Sequence, residues 1–421
     1  MKVLKFGGGV LKNKKNVLKL GDIINKYNND NLIVVVSAFN KVTSKFEKLL
    51  NDYFENKHIN YSKLYELKKY HLNLAEEIFI DSAFIKEKIS EIFLKLENYF
   101  KYGLSENYHY EYDKIISHGE LLSTLIITEF LNGNSFNSQF IDSRQLIITD
   151  DIYTEAKVDW ELSEKKIKEK CNFKETSIYI TQGFVGTNKN GNTTTLGREG
   201  SDFTASIFGY ILNAEEVVFW KEVDGIYNSD PSKSSDYELL PKLSYKEALE
   251  QAYYGAKILH EKTIKPLQNK GIPIFVKSFY KDEQDGTGII DLSELSPNLY
   301  PKVPIFIVKE NQKLISVSTI DFSFISEHNL GEIFSLLSEY RIKVNLMQSS
   351  AINFSFCVTN NKYKIPKLIE DLKINFSVLF NDELELVTIR HYNDIAINKM
   401  ISGKKIYLEQ KSRQTVRFVI K

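Results

Sequence analysis

A chain of 421 residues exceeds what one ordinary hydrophobic core organises, so two or three domains with an enzyme-sized cleft are expected, and a small binding module is excluded. Its 55 Lys and Arg balance its 55 Asp and Glu, and 43% of residues are hydrophobic; no electrostatic footprint for nucleic acid or an anionic membrane is present. Cys171 and Cys357 stand far apart with no second cysteine or paired histidines beside them, which leaves no credible disulfide framework or zinc site.

Val3 to Phe6 is a short apolar run closed by Gly7, Gly8 and Gly9. Helical periodicity from about Lys12 to Tyr27 and the apolar run Leu32 to Val36 complete a βαβ unit with a glycine loop after its first strand. The apolar runs are far too short for a membrane span, and the N-terminal one is too short for a signal peptide, so a soluble cytoplasmic protein is expected. From about Phe46 to Phe100 apolar side chains recur at helical spacing among Lys and Glu, with no Pro or Gly, which predicts a helical insertion. A further helix is predicted over about Asp113 to Leu131, ended by Asn132 and Gly133. Strands at Phe136 to Ile141, Ile178 to Ile180, Val217 to Trp220 and Ile274 to Val276 alternate with helices at about Asp202 to Leu212 and Tyr245 to Asn269. That alternation belongs to a parallel sheet covered by helices, an α/β class. Between Gly183 and Gly197, the central Asn190-Gly191 predicts a hairpin flap on the sheet edge.

Pro297, Pro301 and Pro304 mark a linker near residues 290–303. Beyond it the pattern reads strand (Leu314 to Val317), helix (about Gly331 to Tyr340), strands (Lys343 to Leu346 and Asn353 to Thr359), helix (Pro366 to Leu372), then strands (Leu384 to Arg390 and Thr415 to Ile420). The βαββαβ order predicts a ferredoxin-like module. A second such half would be degenerate, because it lacks a convincing second helix.

Three clusters could carry chemistry: Lys5 with Gly7 to Gly9, the segment SHGE ending at Glu120, and TTTLGREGSD from Thr193 to Asp202. Glycines after a parallel strand let backbone N–H groups approach an anion, and the following helix points its positive end at the same place. A glycine run can also be only a tight turn. Lys5 favours the anion-binding reading, because a structural lysine in an apolar strand would bury its charge unpaired. Gly197 and Gly200 repeat the arrangement before a second helix, where Asp202 is read first as a capping acid and Arg198 as a bidentate partner for a carboxylate. His118 reads as structural, since no Ser or Cys partner suggests nucleophilic catalysis. The GxxxxGK[ST] loop and the complete GxGxxG fingerprint are both absent, which argues against P-loop and dinucleotide-binding dehydrogenase readings.

Taken together, KFGGG at Lys5, VVVSAFNKVTS at Val34, SHGELLS at Ser117, ITQGFVG at Ile180, TTTLGREGSDFTA at Thr193, VDGIYNSDP at Val223 and YGAKILH at Tyr254 resemble the aspartate kinases of the amino acid kinase superfamily, in family order. The region after residue 303 is similar to that family's paired ACT regulatory domains, with LGEIFSLL and IKVNLMQSS as landmarks. The resemblance implies a carbamate-kinase-like αβα sandwich over residues 1–290, with the helical insertion at about 46–112. It further implies a linker over 291–302 and an ACT region over 303–421 whose second unit is reduced.

The implied reaction is ATP-dependent phosphorylation of the β-carboxylate of L-aspartate, the first step toward lysine, threonine and methionine, by a monofunctional enzyme. Lys5 and Asp202 are the implied catalytic pair. Ser37, Thr43, Glu120, Arg198 and Ser201 would bind aspartate, Glu120 taking the ammonium and Arg198 the α-carboxylate. Gly7, Gly8, Gly9, Lys221, Tyr227, Asp230 and Lys257 would bind the nucleotide, with Mg²⁺ held mainly by ATP and water and no protein metal site. Ser326, Leu330, Asn345, Ser349 and Ser350 match regulatory positions for an effector such as lysine or threonine, bound between ACT domains of a homodimer. No nucleic-acid or membrane partner is implied. The chain departs from the family's usual KFGGTS at Gly9 and Val10. It also departs at Ser232, where an arginine is common and Lys233 offers a replacement cation, and at Lys221-Glu222, where Thr-Asp is usual. Glu199 makes the phosphate loop more acidic. Lysine-sensing members carry acids where Asn345 and Ala351 stand here, so lysine recognition is in question.

Overall fold

Five aliphatic residues without polar alternation commit Leu32 to Val36 to the middle of a sheet covered on both faces, and all five are buried. The computed structural model describes residues 1–234, 236–256, 258–292, 303–321 and 323–421. Lys257 and most of the expected linker, with Pro297 and Pro301, lie outside the described residues.

The N-terminal region runs β1 (Lys2–Phe6), α1 (Lys14–Asn25), β2 (Leu32–Val36), α2 (Val42–Asn56), α3 (Tyr61–Ile78), α4 (Ala83–Lys101), α5 (Tyr108–Ile116), α6 (His118–Gly133), β3 (Ser138–Ile141), α7 (Ser143–Leu146) and β4 (Ile148–Thr149). It continues through α8 (Trp160–Lys170), β5 (Ile178–Gln182), β6 (Val185–Asn188), β7 (Thr193–Thr195), α9 (Gly200–Leu212), β8 (Glu216–Lys221), β9 (Lys242–Ser244), α10 (Tyr245–Tyr254), α11 (Glu261–Asn269), β10 (Ile274–Ser278) and β11 (Thr287–Ile290). The main sheet has the order β3-β5-β2-β1-β8-β10-β11-β9. It is parallel from β3 through β10, with β11 antiparallel to β10. The chain leaves β1 toward β2 on one side and later returns to β8 on the other. In such a sheet, ligands bind outside the carboxyl ends of the strands at this switch point.

Phe6 stacks on Trp220 with ring centroids 6.3 Å apart, and both join the core that continues into the helical insertion through Phe46, Phe93 and Leu96. The expected hairpin is β6-β7, but it joins β4 in a separate three-stranded sheet and not the edge of the main one; its turn is held by the Asn188 side chain accepting from the amides of Asn190 and Asn192 and passes through Gly191 at φ 81°.

Two predicted helices are each broken. The helix expected from Asp113 to Leu131 divides at Ser117, whose hydroxyl donates to the Lys114 carbonyl at 3.0 Å and competes with the ladder there. The helix expected from Tyr245 to Asn269 ends at Tyr254, because Gly255 adopts φ 111°. Helix α8 and the short strands β4, β9 and β11 escape the pattern; α8 is too polar and the strands too short for periodicity to register.

By compactness the chain forms two units. One holds Met1–Ile226 and Leu239–Leu249 and runs on through β10 and β11; the other holds Tyr227–Glu238 and Glu250–Ala256 with the C-terminal region. The second unit contains β12 (Ile305–Thr319), α12 (Glu327–Glu339), β13 (Val344–Ser349), β14 (Asn353–Thr359), α13 (Lys364–Asn375), β15 (Phe376–Arg390), α14 (Asp394–Ile401), β16 (Ile406–Lys411) and β17 (Thr415–Ile420). Its antiparallel sheet has the order β13-β14-β12-β15-β17-β16. Strands β12 and β15 pair along most of their length, with an irregularity between Lys309 and Leu314. The C-terminal half of β12, with α12, β13, β14, α13 and the start of β15, makes the expected βαββαβ half. The other half has four strands and, among the described residues, the single helix α14. No helix among the described residues is long and apolar enough to cross a membrane.

Candidate active site

Lys5 is the one charged residue inside β1 past its first position, and it is 6% exposed. Its ammonium lies 2.5 Å from Oδ1 of Asp202 in the first turn of α9. The other carboxylate oxygen of Asp202 accepts from Lys221 Nζ at 2.8 Å, at the carboxyl end of the neighbouring strand β8. Lys221 also donates to the Ile258 carbonyl at 2.5 Å. One buried carboxylate thus joins two ammoniums from adjacent parallel strands.

Burial pushes the Asp202 carboxyl up, but the charges of Lys221 and Lys5 outweigh it and hold the group below its ordinary range. Burial pushes the Lys5 ammonium down, against the attraction of Asp202 and with the repulsion of Lys221. A net positive charge remains in the cluster, where a phosphate would find it.

The glycine loop lies at the same edge. The amides of Val10 and Leu11 turn back onto the Gly7 carbonyl, whereas the amides of Gly8 and Gly9 donate to no acceptor among the described residues. A Cβ on Gly8 would stand 2.8 Å from the Ala38 carbonyl oxygen, so only glycine lets this loop lie against the end of β2. Gly183 plays the matching part for α9: a Cβ there would meet Ser201 Cα at 2.7 Å. Close backbone approach and free amides are what an anion cradle requires.

Glu120, in the first turn of α6, forms the facing wall and is 3% exposed. Its Oε1 accepts from the Thr43 hydroxyl at 3.2 Å, while Oε2 is buried without a hydrogen-bond partner among the described residues. Burial raises its carboxyl to about 7, against the hydrogen bonds of its own backbone and of Thr43. A buried, half-satisfied acid is poised for a cation.

Lys5, Ser37, Thr43, Glu120, Arg198, Ser201, Asp202 and Lys221 all line one cavity of about 670 Å³, with Arg198 exposed. The expected catalytic and acceptor-binding residues therefore share one space.

Tyr227 and Asp230 group with the second unit. The Tyr227 ring meets Tyr237 edge-on at 5.2 Å, and Asp230 accepts from the Ser232 amide and hydroxyl at 2.9 and 2.7 Å. Lys233, the candidate replacement for the missing arginine, is paired with Glu310 at 2.5 Å. Among the regulatory positions, Ser326 and Asn329 form a capping box for α12. Leu330 packs against the apolar core under the sheet. Asn345 is buried and bonded to Lys309, Gln312 and Thr359. Ser349 and Ser350 are exposed. His118 is half-buried with Nδ1 against the Ile115 carbonyl, and its desolvation lowers it to about 4, so it is neutral near pH 7.

The cavity also uses residues the motifs do not single out, including Glu47, Tyr112 and Thr154. Behind them Asp113 of α5, fully buried, accepts from the amides of Thr154 and Thr195 at 2.9 Å each and from the Thr195 hydroxyl at 2.6 Å. It ties the flap strand β7 and the Thr154 turn to the helix beside the cavity. In sequence it is one acid among many on Lys- and Glu-rich helices, and only the partnering TTT strand hints at its task.

The family model described as the amino acid kinase family matches residues 1–278. Lysine-sensitive aspartokinase 3 of Escherichia coli (strain K12) is 34% identical over 239 residues, 56% of this chain and 51% of that protein. The aspartokinase of Chlamydia pneumoniae is 31% identical over 345 residues, 82% of this chain and 74% of that protein. The crystal structure of E. coli aspartokinase III in complex with lysine and aspartate superposes with a TM-score of 0.81 at 25% identity, covering 100% of this chain and 95% of that one. The chain spans about half the length, or less, of the first curated relatives it matches.

Proposed function

The chain belongs to the amino acid kinase family and, within it, to the aspartokinases, and from that premise we propose that it transfers the γ-phosphoryl group of ATP to the β-carboxylate of L-aspartate. The observation that carries this reading is the Lys5-Asp202-Lys221 cluster facing Glu120 across one cavity. A carboxylate oxygen of the acceptor forms the new O–P bond, and the bond to the bridging oxygen breaks with its electron pair leaving on ADP. The acceptor is already ionised at neutral pH, so no general base is required. The difficulty is bringing two anions together, and fixed positive charge with in-line positioning answers it.

In this reading Lys5 acts on the transferring phosphoryl group, and Asp202 holds Lys5 and Lys221 in place. The Gly8 and Gly9 amides, with Lys221, would hold the phosphates of a magnesium nucleotide. Magnesium, bound chiefly by phosphate oxygens and water, would supply further charge neutralisation. Glu120 takes the substrate ammonium, Arg198 the α-carboxylate, and Ser37, Thr43 and Ser201 orient the acceptor. The aspartate and lysine bound by the E. coli enzyme support an amino-acid acceptor and an amino-acid effector here. Lysine or threonine would act through the ACT region of a homodimer. Ser349 and Ser350 are the accessible polar groups for such an effector, because Ser326 and Asn345 are engaged within the fold.

ADP release measured with aspartate, glutamate, N-acetylglutamate, carbamate and UMP as acceptors tests the assignment. Turnover with aspartate alone is expected; turnover with another acceptor and none with aspartate overturns it. Two further results are expected. Arg198→Ala should raise the aspartate KM by about tenfold or more with little change in kcat, because a charge-assisted contact to the α-carboxylate is made equally in ground and transition states. Glu120 must be ionised to hold an ammonium, and its free-enzyme value is about 7. Hence kcat/KM for aspartate should fall as pH drops through 7, and a pH profile of Glu120→Gln should lose that limb.

A further inference from the structure

Glu120 and Arg198, read above as the grip on the amino-acid head group of the acceptor, stand on segments far apart in the chain, and one buried side chain joins those segments. Asp113 lies on α5, which passes at Ser117 directly into α6 and the first turn that carries Glu120. Its Oδ2 accepts from the amides of Thr154 and Thr195 at 2.9 Å each, and its Oδ1 from the Thr195 hydroxyl at 2.6 Å. Thr195 ends β7, and Arg198 stands three residues beyond it.

The Thr154 turn is strained and pressed against the same segment. Thr154 adopts φ 69°, a left-handed conformation that a β-branched residue keeps only where its surroundings impose it. What imposes it is the Asp113 carboxylate on the Thr154 amide, together with the Ala156 amide donating to the Thr195 carbonyl at 2.9 Å. Gly197, at φ 80°, lies so near that a Cβ there would stand 3.2 Å from the Thr154 carbonyl oxygen and 3.3 Å from Glu155 Cγ. Thr154, Glu155, Gly197 and Arg198 line the cavity, and Asp113 stands behind them, fully buried. Burial raises its carboxyl to about 6, against the hydrogen bonds of Thr195 and Thr154. Its worth here therefore lies in the donors it gathers and not in its charge.

We propose that Asp113 is a positioning residue for the acceptor: by tying the Thr154 turn and the end of β7 to the helix that leads into Glu120, it fixes the spacing at which Glu120 and Arg198 take the ammonium and α-carboxylate of one amino acid. This rests on the phosphotransfer reading and deepens it, giving acceptor affinity to a residue outside the cavity. Lys5 and Lys221, on the nucleotide side, stand on β1 and β8, whereas the donors held by Asp113 belong to Thr154 and Thr195. A positioning role thus confines the loss to the acceptor. A purely structural role would change stability and leave the balance between the two ligands untouched.

The test compares the parent protein with three variants. Asp113→Ala strands all the donors, and Thr195→Val removes the hydroxyl alone. Asp113→Asn can turn its oxygen to both backbone amides while its NH2 donates to the Thr195 hydroxyl. Aspartate KM and kcat are read by turnover, magnesium ADP affinity by calorimetry, and local opening by amide exchange in peptides that span the Thr154 turn and β7. Asp113→Ala should raise the aspartate KM about tenfold, with faster exchange in those peptides and unchanged magnesium ADP affinity. Thr195→Val should act in the same direction by about threefold, and it carries the comparison alone if Asp113→Ala does not fold. Asp113→Asn should match the parent. Unchanged KM despite faster exchange overturns the proposal, as does a parallel loss for both ligands. If the parent turns over glutamate and not aspartate, the functional reading fails while the same KM comparison with glutamate still decides Asp113; if it turns over no α-amino acid, both fall.

Discussion

Lys5→Ala is expected to lower kcat on the order of 10³-fold, the scale seen when a preorganised donor is removed from developing charge, while aspartate affinity and the folded state are retained. The fold should survive because Asp202 keeps Lys221 at 2.8 Å, so the substitution leaves no carboxylate buried alone. Aspartate affinity should survive because its expected contacts, Glu120 and Arg198, lie on α6 and on the loop before α9 and not on β1. Lys5→Met, which keeps the stem, should lose as much activity as alanine, locating the effect in the ammonium. Single-turnover kinetics with an equilibrium measurement of aspartate binding checks both halves. Near-normal turnover would exclude Lys5 from the chemical step.

Asp202→Asn is expected to be as damaging to activity and far more damaging to the fold. It leaves the buried Lys5 ammonium beside the half-buried Lys221 without their shared anion, and breaking a buried charge pair in this way costs about 3 kcal/mol or more. Burial already depresses Lys5, and without Asp202 its value should fall further, so a lower pH favours the charged lysine in the variant. Residual activity should therefore rise as the pH is lowered, opposite to the trend expected from Glu120 in the parent. Thermal unfolding and a pH profile of kcat supply the check; parental stability would mean that the Lys5-Asp202 contact carries no net weight. Because Asp202 is held below the ordinary carboxylate range, the stability it confers is present above that range and lost in acid.

How much is legible in the chain itself differs from residue to residue. Lys5 stands out because an ammonium in an apolar strand demands a partner, and the partner is Asp202. The glycines after β1 and before α9 are readable as close backbone approaches, and the Asn190-Gly191 turn as a hairpin. Asp202 is different: its position in the first turn of α9 is what capping alone would produce, and only the geometry shows two lysines on it. Asp113 carries no signal of its own, since its three donors come from Thr154 and Thr195, far along the chain. The breaks at Ser117 and Gly255 depend on a hydroxyl turning back onto its helix and on the Lys309 stem crossing the Gly255 turn, neither of which periodicity contains. In the C-terminal region, α14 and β16 escape the pattern because they are short and some of their apolar residues are exposed, as Ile395 and Ile406 are. The sharing of β12 and β15 between two halves comes from strand length, which apolar alternation underestimates where Lys309 to Gln312 interrupt it.

The most direct test is a crystal structure of the protein with a non-hydrolysable ATP analogue, magnesium and aspartate bound together. The expected result is Lys5 Nζ within hydrogen-bonding distance of the terminal phosphate, the glycine-loop amides on the same phosphate group, and the aspartate ammonium on Glu120. A nucleotide bound away from β1, or an aspartate seated outside the cavity between Lys5 and Glu120, would contradict the assignment.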